Sequence, residues 1–117
     1  MEYINKKLTI DKVKVQDIVK KFNTPTYCYS YSQLKENINN FKRNFKSFSP
    51  LICFAIKSNT NRNLIREVKK FGLGADVVSM GELMMALKAG INPKKIVFSG
   101  VGKTSNEISY AIDKKIL

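Results

Sequence analysis

Three apolar runs begin at Leu51, Leu73 and Ile96, 22 and 23 residues apart, and each leads into a stretch of helical spacing. Strands alternating with helices at that interval build βα units and a parallel sheet, which places the chain in the α/β class. The first run, Leu51 to Ile56, is continuous and ends in Lys57-Ser58-Asn59. It predicts a strand over 51–56 buried on both faces. A helix carrying Leu64, Ile65, Val68 and Phe71 follows, closed by Gly72. A second strand over 73–78 precedes a helix over 80–89 closed by Gly90, and a third strand over 96–98 precedes a helix carrying Ile108, Ala111 and Ile112. The chain then reads Lys114-Lys115-Ile116-Leu117, where a fourth strand would begin. Two and a half to three βα units cannot close a barrel, so the expectation is an incomplete one, cut from a longer chain.

Ahead of the repeat, residues 1–29 are less regular. Leu8-Thr9-Ile10 reads as a short strand. Val15, Ile18, Val19 and Phe22 fall on one helical face, and Thr24-Pro25 ends that helix because a residue before proline leaves the α region. Thr26 to Tyr29 is β-prone. Tyr31, Leu34, Ile38, Phe41, Phe45 and Phe48 then recur at helical spacing, with Ser30 and Gln33 as a capping-box signature and Ser49-Pro50 as the stop. These patterns divide the chain into an N-terminal segment, 1–29, and a βα region, 30–117.

The sequence excludes several chemistries. It has no histidine, which removes Ser–His–Asp and Cys–His catalysis and most zinc sites. Cys28 and Cys53 stand 25 positions apart inside apolar runs and read as small buried hydrophobes. No apolar stretch approaches the roughly 20 residues a membrane helix requires. The start, Met1 to Lys7, lacks an apolar secretory core, so the cytoplasm is the expected compartment. A net charge of +12 raises the alternative of a small nucleic-acid-binding module. The lysines are dispersed in pairs, however, several at helix C-termini, which favours a solvated lysine-rich surface.

Four features are candidates for chemistry. Lys57 falls at the C-terminal end of the first strand, where α/β folds place their sites, and strand alternation puts it on a face with Ala55, Cys53 and Leu51. A lysine there serves either as a nucleophilic amine or as a side chain that snorkels to solvent. Asp76 interrupts the apolar strand Gly74-Ala75-Asp76-Val77-Val78, one strand from Lys57; it either faces that amine or makes a structural hydrogen bond to nearby backbone or a helix N-terminus. Glu82 is explained by a capping box with Ser79. Gly100-Val101-Gly102-Lys103-Thr104 imitates a phosphate loop, but Val97 stands where the full pattern needs glycine. Thr104 with Glu107 instead reads as a helix cap.

The block Phe54-Ala55-Ile56-Lys57-Ser58-Asn59 resembles the cofactor-lysine motif of the pyridoxal-phosphate amino-acid decarboxylases with an alanine-racemase-like barrel. Gly74 to Leu83 is similar to the second strand and turn of that group, and Lys95 to Thr104 to the third strand of its diaminopimelate decarboxylase branch. Thr24-Pro25-Thr26-Tyr27-Cys28-Tyr29 resembles the segment leading into the barrel. The four blocks occur in family order and spacing from about Leu8 onward. Phe54, Ser58 and Met80 depart from the family's usual Tyr, Ala and Gly at those positions.

The resemblance implies a TIM-type (β/α)8 barrel, of which this chain carries the first three βα units, and an N-terminal segment packed with a C-terminal β domain. It implies that Lys57 holds pyridoxal 5'-phosphate covalently and that Asp76 is an acidic residue close to that lysine and the cofactor; no metal site is expected. The implied reaction is decarboxylation of meso-diaminopimelate to L-lysine, the last step of lysine biosynthesis, in a homodimer that lends a cysteine across the interface. Ornithine, arginine and carboxynorspermidine decarboxylases share the lysine motif and are the sibling alternatives. The phosphate-binding glycines, the glutamate facing the pyridine nitrogen and the substrate-binding residues have no counterpart in 1–117, so the chain by itself is expected to be inactive. A nucleic acid or a membrane is not an expected partner.

Overall fold

The computed structural model describes residues 1–116, and its internal contacts divide the chain into two units, Met1–Ser47 and Phe48–Leu117.

The first unit begins with an antiparallel meander, β1 (Glu2–Ile4), β2 (Lys7–Ile10) and β3 (Val13–Lys14), in which Tyr3 pairs with Leu8 and Ile10 with Val13. Its two turns, Asn5-Lys6 and Asp11-Lys12, hold all four residues at positive φ. That handedness matches the twist of a two-residue hairpin. Only β2 was legible as a strand; β1 and β3 are too short to alternate, and their turns carry no glycine. Helix α1 (Val15–Phe22) has the bounds its spacing predicts, and Asn23 at positive φ ends it before Pro25. The β-prone run Thr26–Tyr29 pairs with no strand.

Helix α2 (Tyr31–Asn44) starts on Ser30, whose hydroxyl accepts from the Gln33 amide at 3.1 Å. The reciprocal half of the expected capping box is not made. The Gln33 side chain donates to Asn37 Oδ1 at 3.0 Å instead. Its place is taken by Asp11 from the second hairpin turn, which accepts from the backbone of Tyr31 at 2.7 Å and Ser32 at 3.1 Å and from both serine hydroxyls. These donors, the hydroxyls of Ser32 and Ser30 foremost, lower its carboxyl from the ordinary 3.8 to about 2. The expected helix to Phe48 breaks at Asn44, and Lys46–Phe48 forms a separate 3-10 turn.

The second unit is the βα repeat. Strands β4 (Cys53–Ala55), β5 (Gly74–Val77) and β6 (Ile96–Phe98) form a parallel sheet in the order β4-β5-β6. Helices α3 (Arg62–Lys70), α4 (Met80–Ala89) and α5 (Ser105–Asp113) follow them in turn. Gly72 and Gly90 take the left-handed conformation that terminates α3 and α4. Ala75, Val77 and Ile96 face a core completed by Ile65 of α3, Leu83 and Ala86 of α4, and Ala111 of α5. Alternation therefore turns Cys53, Ala55, Gly74, Asp76 and Val97 to the opposite face.

The first βα strand differs from expectation. Only residues 53–55 are strand, they are half-buried rather than buried on both faces, and Leu51 is exposed. Among the described residues β4 pairs with β5 alone, and the core of this unit covers one face. An edge strand with one covered face needs no continuous burial. Cys53 is accordingly half-buried, and Cys28 is exposed rather than core. Among the described residues no helix is long and apolar enough to cross a membrane.

Gly74 marks the tightest approach in the sheet. A Cβ built there would lie 2.0 Å from the Lys95 carbonyl oxygen and 2.9 Å from Cys53 Sγ. Backbone cannot retreat that far, so Gly74→Ala is expected to destabilise this unit by about 2 kcal/mol or more. Denaturant midpoints of the two proteins measure the loss; an unchanged midpoint would mean that β5 and β6 separate freely.

Candidate active site

Lys57 is delivered to the C-terminal end of the sheet by a turn rather than by the strand itself. Directly after β4, residues Ile56–Ser58 form a 3-10 turn. Ser58 Oγ donates to the Ala55 carbonyl at 2.7 Å, and the Asn59 amide to the Ile56 carbonyl at 2.9 Å. Ile56 anchors the turn, with no exposed surface, while Lys57 is exposed. The strand-face argument that grouped Lys57 with Cys53 and Leu51 thus does not apply, because alternation stops at Ala55. Among the described residues the Lys57 amine makes no hydrogen bond or ion pair.

Asp76 lies in the centre of the sheet, paired in register with Ala55 on β4 and Val97 on β6. It is the sole carboxylate on these three strands. Of its two expected roles the structure shows a form of the second: Ser99 Oγ donates to Asp76 Oδ1 at 2.6 Å, where a backbone or helix-terminus partner was expected. No ion pair joins it to Lys57 among the described residues. Its negative charge, after burial, keeps the Cys53 thiol protonated by raising its pKa. Ser99 escaped the sequence reading because a lone serine after a strand carries no signal; only the need for a partner to Asp76 pointed toward it.

The loops that leave β5 and β6 are held by carboxylates at helix N-termini. Ser79 caps α4 by accepting from the Glu82 amide at 3.3 Å, while Glu82 reaches one residue further back than a capping box requires and accepts from the Val78 amide at 2.9 Å. Thr104 and Glu107 form the expected reciprocal box on α5. The second oxygen of Glu107 accepts from the Met80 amide at 3.0 Å, so one side chain ties the first turns of α4 and α5 together. The phosphate-loop imitation resolves as a helix entry: Lys103 donates to the Gly100 carbonyl and lies 5.1 Å from the Phe98 ring centroid.

The arrangement offers a primary amine, a carboxylate and a hydroxyl at the end of a parallel sheet where such folds carry their chemistry. An amine without a partner is the donor that an aldehyde cofactor requires, and the three residues fit pyridoxal phosphate in that respect. The family model for the pyridoxal binding domain of pyridoxal-dependent decarboxylases matches residues 31–117.

The chain belongs to the pyridoxal-dependent decarboxylases.

Its cofactor is therefore pyridoxal phosphate. Among curated relatives, diaminopimelate decarboxylase from Aquifex aeolicus is 42% identical over 117 residues, all of this chain and 27% of that protein. The Helicobacter pylori enzyme of the same name is 44% identical over 102 residues, 87% of this chain and 25% of that protein. The crystal structure of diaminopimelate decarboxylase from M. jannaschii in complex with L-lysine superposes with a TM-score of 0.94 at 36% identity, over 98% of this chain and 28% of that one. The chain thus spans about a quarter of the length of the relatives it matches.

Glu107 is ionised more readily than an ordinary glutamate, chiefly through the amides of Thr104 and Met80. Because its folded pKa lies below the ordinary 4.5, the stability it contributes is present above pH 4.5 and is lost as the pH falls through the folded value. Glu107→Gln is expected to flatten the acid limb of the stability curve below about pH 4.5. Thermal midpoints from pH 3 to 7 test this; parallel curves for the two proteins would contradict it.

Proposed function

We propose that this chain is the N-terminal part of a diaminopimelate decarboxylase that converts meso-diaminopimelate to L-lysine. The observation that carries the proposal is the partnerless Lys57 amine in a 3-10 turn at the C-terminal end of β4, one strand from Asp76, inside a family match whose curated relatives share that name. On this reading the three βα units open a TIM-type (β/α)8 barrel, residues 30–117 belong to it, and residues 1–29 pack with a C-terminal β domain. The enzyme acts as a homodimer in the cytoplasm.

Lys57 would hold the cofactor through its amine, a group that can also hold or move a proton. When bound, pyridoxal phosphate supplies the electron sink that lets the α-carboxylate leave as carbon dioxide. Asp76, hydrogen-bonded to Ser99 and one strand from Lys57, would supply a carboxylate on the cofactor's side of the sheet. The hydrogen-bonded turns at Ser79 and Thr104 tie down the loops around that end of the sheet. The relatives' structures with L-lysine support the choice of diaminopimelate over ornithine or arginine.

Borohydride reduction of the full-length enzyme, followed by peptide mass analysis, is expected to find the cofactor on Lys57. Lys57→Ala is expected to lower decarboxylation of meso-diaminopimelate about a thousandfold, in the range for loss of a positioned proton-transfer group. Label on another lysine, or a Lys57→Ala enzyme at wild-type rate, overturns the assignment. A higher kcat/KM for ornithine or arginine would move the enzyme to a sibling branch.

A further inference from the structure

The geometry points to Ser99 as the positioning residue that presents Asp76 to the cofactor lysine, an inference that rests on the proposed roles of Lys57 and Asp76. Ser99 stands one residue beyond β6 and is fixed to β5 twice. Its amide donates to the Val77 carbonyl at 2.9 Å, extending the parallel ladder by one rung. Its hydroxyl donates to Asp76 Oδ1 at 2.6 Å, within the short range of a charge-assisted O–H to carboxylate bond. Gly100 follows at φ +90°, a conformation that turns the chain away directly after the hydroxyl has been placed.

A carboxylate on a strand has a broad terminal torsion, so without a partner its oxygens sweep through many orientations. Two anchors on one serine remove that freedom. The bond occupies Oδ1 and leaves Oδ2 without a hydrogen bond among the described residues. Ser99 has a single hydroxyl proton and donates it to Asp76, so it does not also donate to a phosphate or a substrate oxygen. Its effect on the reaction passes through Asp76. Cys53, the other polar side chain near Asp76 on this face, keeps its proton and donates weakly toward the Lys95 carbonyl at 3.8 Å, so it does not compete for the carboxylate.

The test uses the full-length holoenzyme with Ser99→Ala, Ser99→Thr, Asp76→Asn and the Asp76→Asn/Ser99→Ala double variant. Ser99→Ala is expected to lower kcat about tenfold, the loss of one charge-assisted hydrogen bond, with KM changed by less than about twofold. The pH midpoint of the visible absorption of bound cofactor is expected to fall, because the Asp76 carboxylate remains but is no longer held in one orientation toward the nitrogen of Lys57. Ser99→Thr, which keeps the hydroxyl, is expected to restore both. In the Asp76→Asn background, Ser99→Ala is expected to add less than about a twofold effect, since residues acting as one unit are non-additive. Should Ser99→Ala fail to load cofactor, Ser99→Cys keeps the size, weakens the donor and gives the same two readouts. Unchanged kcat and midpoint in Ser99→Ala, beside an impaired Asp76→Asn, would overturn the role of Ser99 alone. An undiminished Ser99 effect in the Asp76→Asn background would overturn its action through Asp76. A wild-type Asp76→Asn enzyme would remove the role of Asp76 itself, and the inference with it.

Discussion

The register of β5 between β4 and β6 is the constraint on which the site depends. Ala75 and Val77 are fully buried against the helices, and the residue between them must turn the other way. A slip of one residue would drive the Asp76 carboxylate into the helix-facing core, at a cost of several kcal/mol for an unpaired charge. The ladder instead fixes Asp76 between Ala55 and Val97. Ser99 lies two residues beyond Val97 and the 3-10 turn carries Lys57 two residues beyond Ala55, so parallel pairing and that turn together bring amine, carboxylate and hydroxyl to one end of the sheet. No long-range ion pair is needed to assemble them.

Holding that end still is the task of the helix termini. The first amides of a helix have no partners within it, and here the groups that satisfy or flank them also bind residues outside their own helix. Glu107 belongs to α5 yet accepts from the first residue of α4, and Glu82 reaches back to the last residue before its own cap. Asp11 does the same in the N-terminal unit, where one side chain in a hairpin turn occupies the amides and hydroxyls that open α2. In each case a carboxylate replaces water at a helix N-terminus, where its charge also suits the dipole.

Much of this was legible in the sequence. The bounds of α1 and α4 follow from spacing and from their stops, because each has both a period and a punctuating residue, and β6 is the apolar run between Lys95 and Ser99. Lys57 and Asp76 stood out for physical reasons, one as a cation ending an apolar run and the other as a carboxylate inside one. What escaped has a common cause: it depends on partners distant in sequence. The Asp11 cap spans some 20 positions, the Ser99–Asp76 bond 23 and the Glu107–Met80 bond 27. The strand that was drawn too long failed differently. Leu51 and Ile52 are apolar, but an apolar run cannot reveal where pairing begins or that a 3-10 turn claims Ile56.

The two ends of the sheet are built to opposite requirements. At the N-terminal end, Gly74 leaves no space for even a methyl group between the Lys95 carbonyl and Cys53, so the strands close on one another through backbone and a neutral thiol. At the C-terminal end a turn carries an exposed amine and a hydroxyl faces a half-buried carboxylate. Tight packing there would have enclosed Lys57 and forced its desolvation, whereas open backbone at Gly74 would have left β5 free to shift and Asp76 with it. The close approach at one end accompanies the register that places charge at the other. Close packing and the candidate site share the same three strands by residing at opposite ends of them.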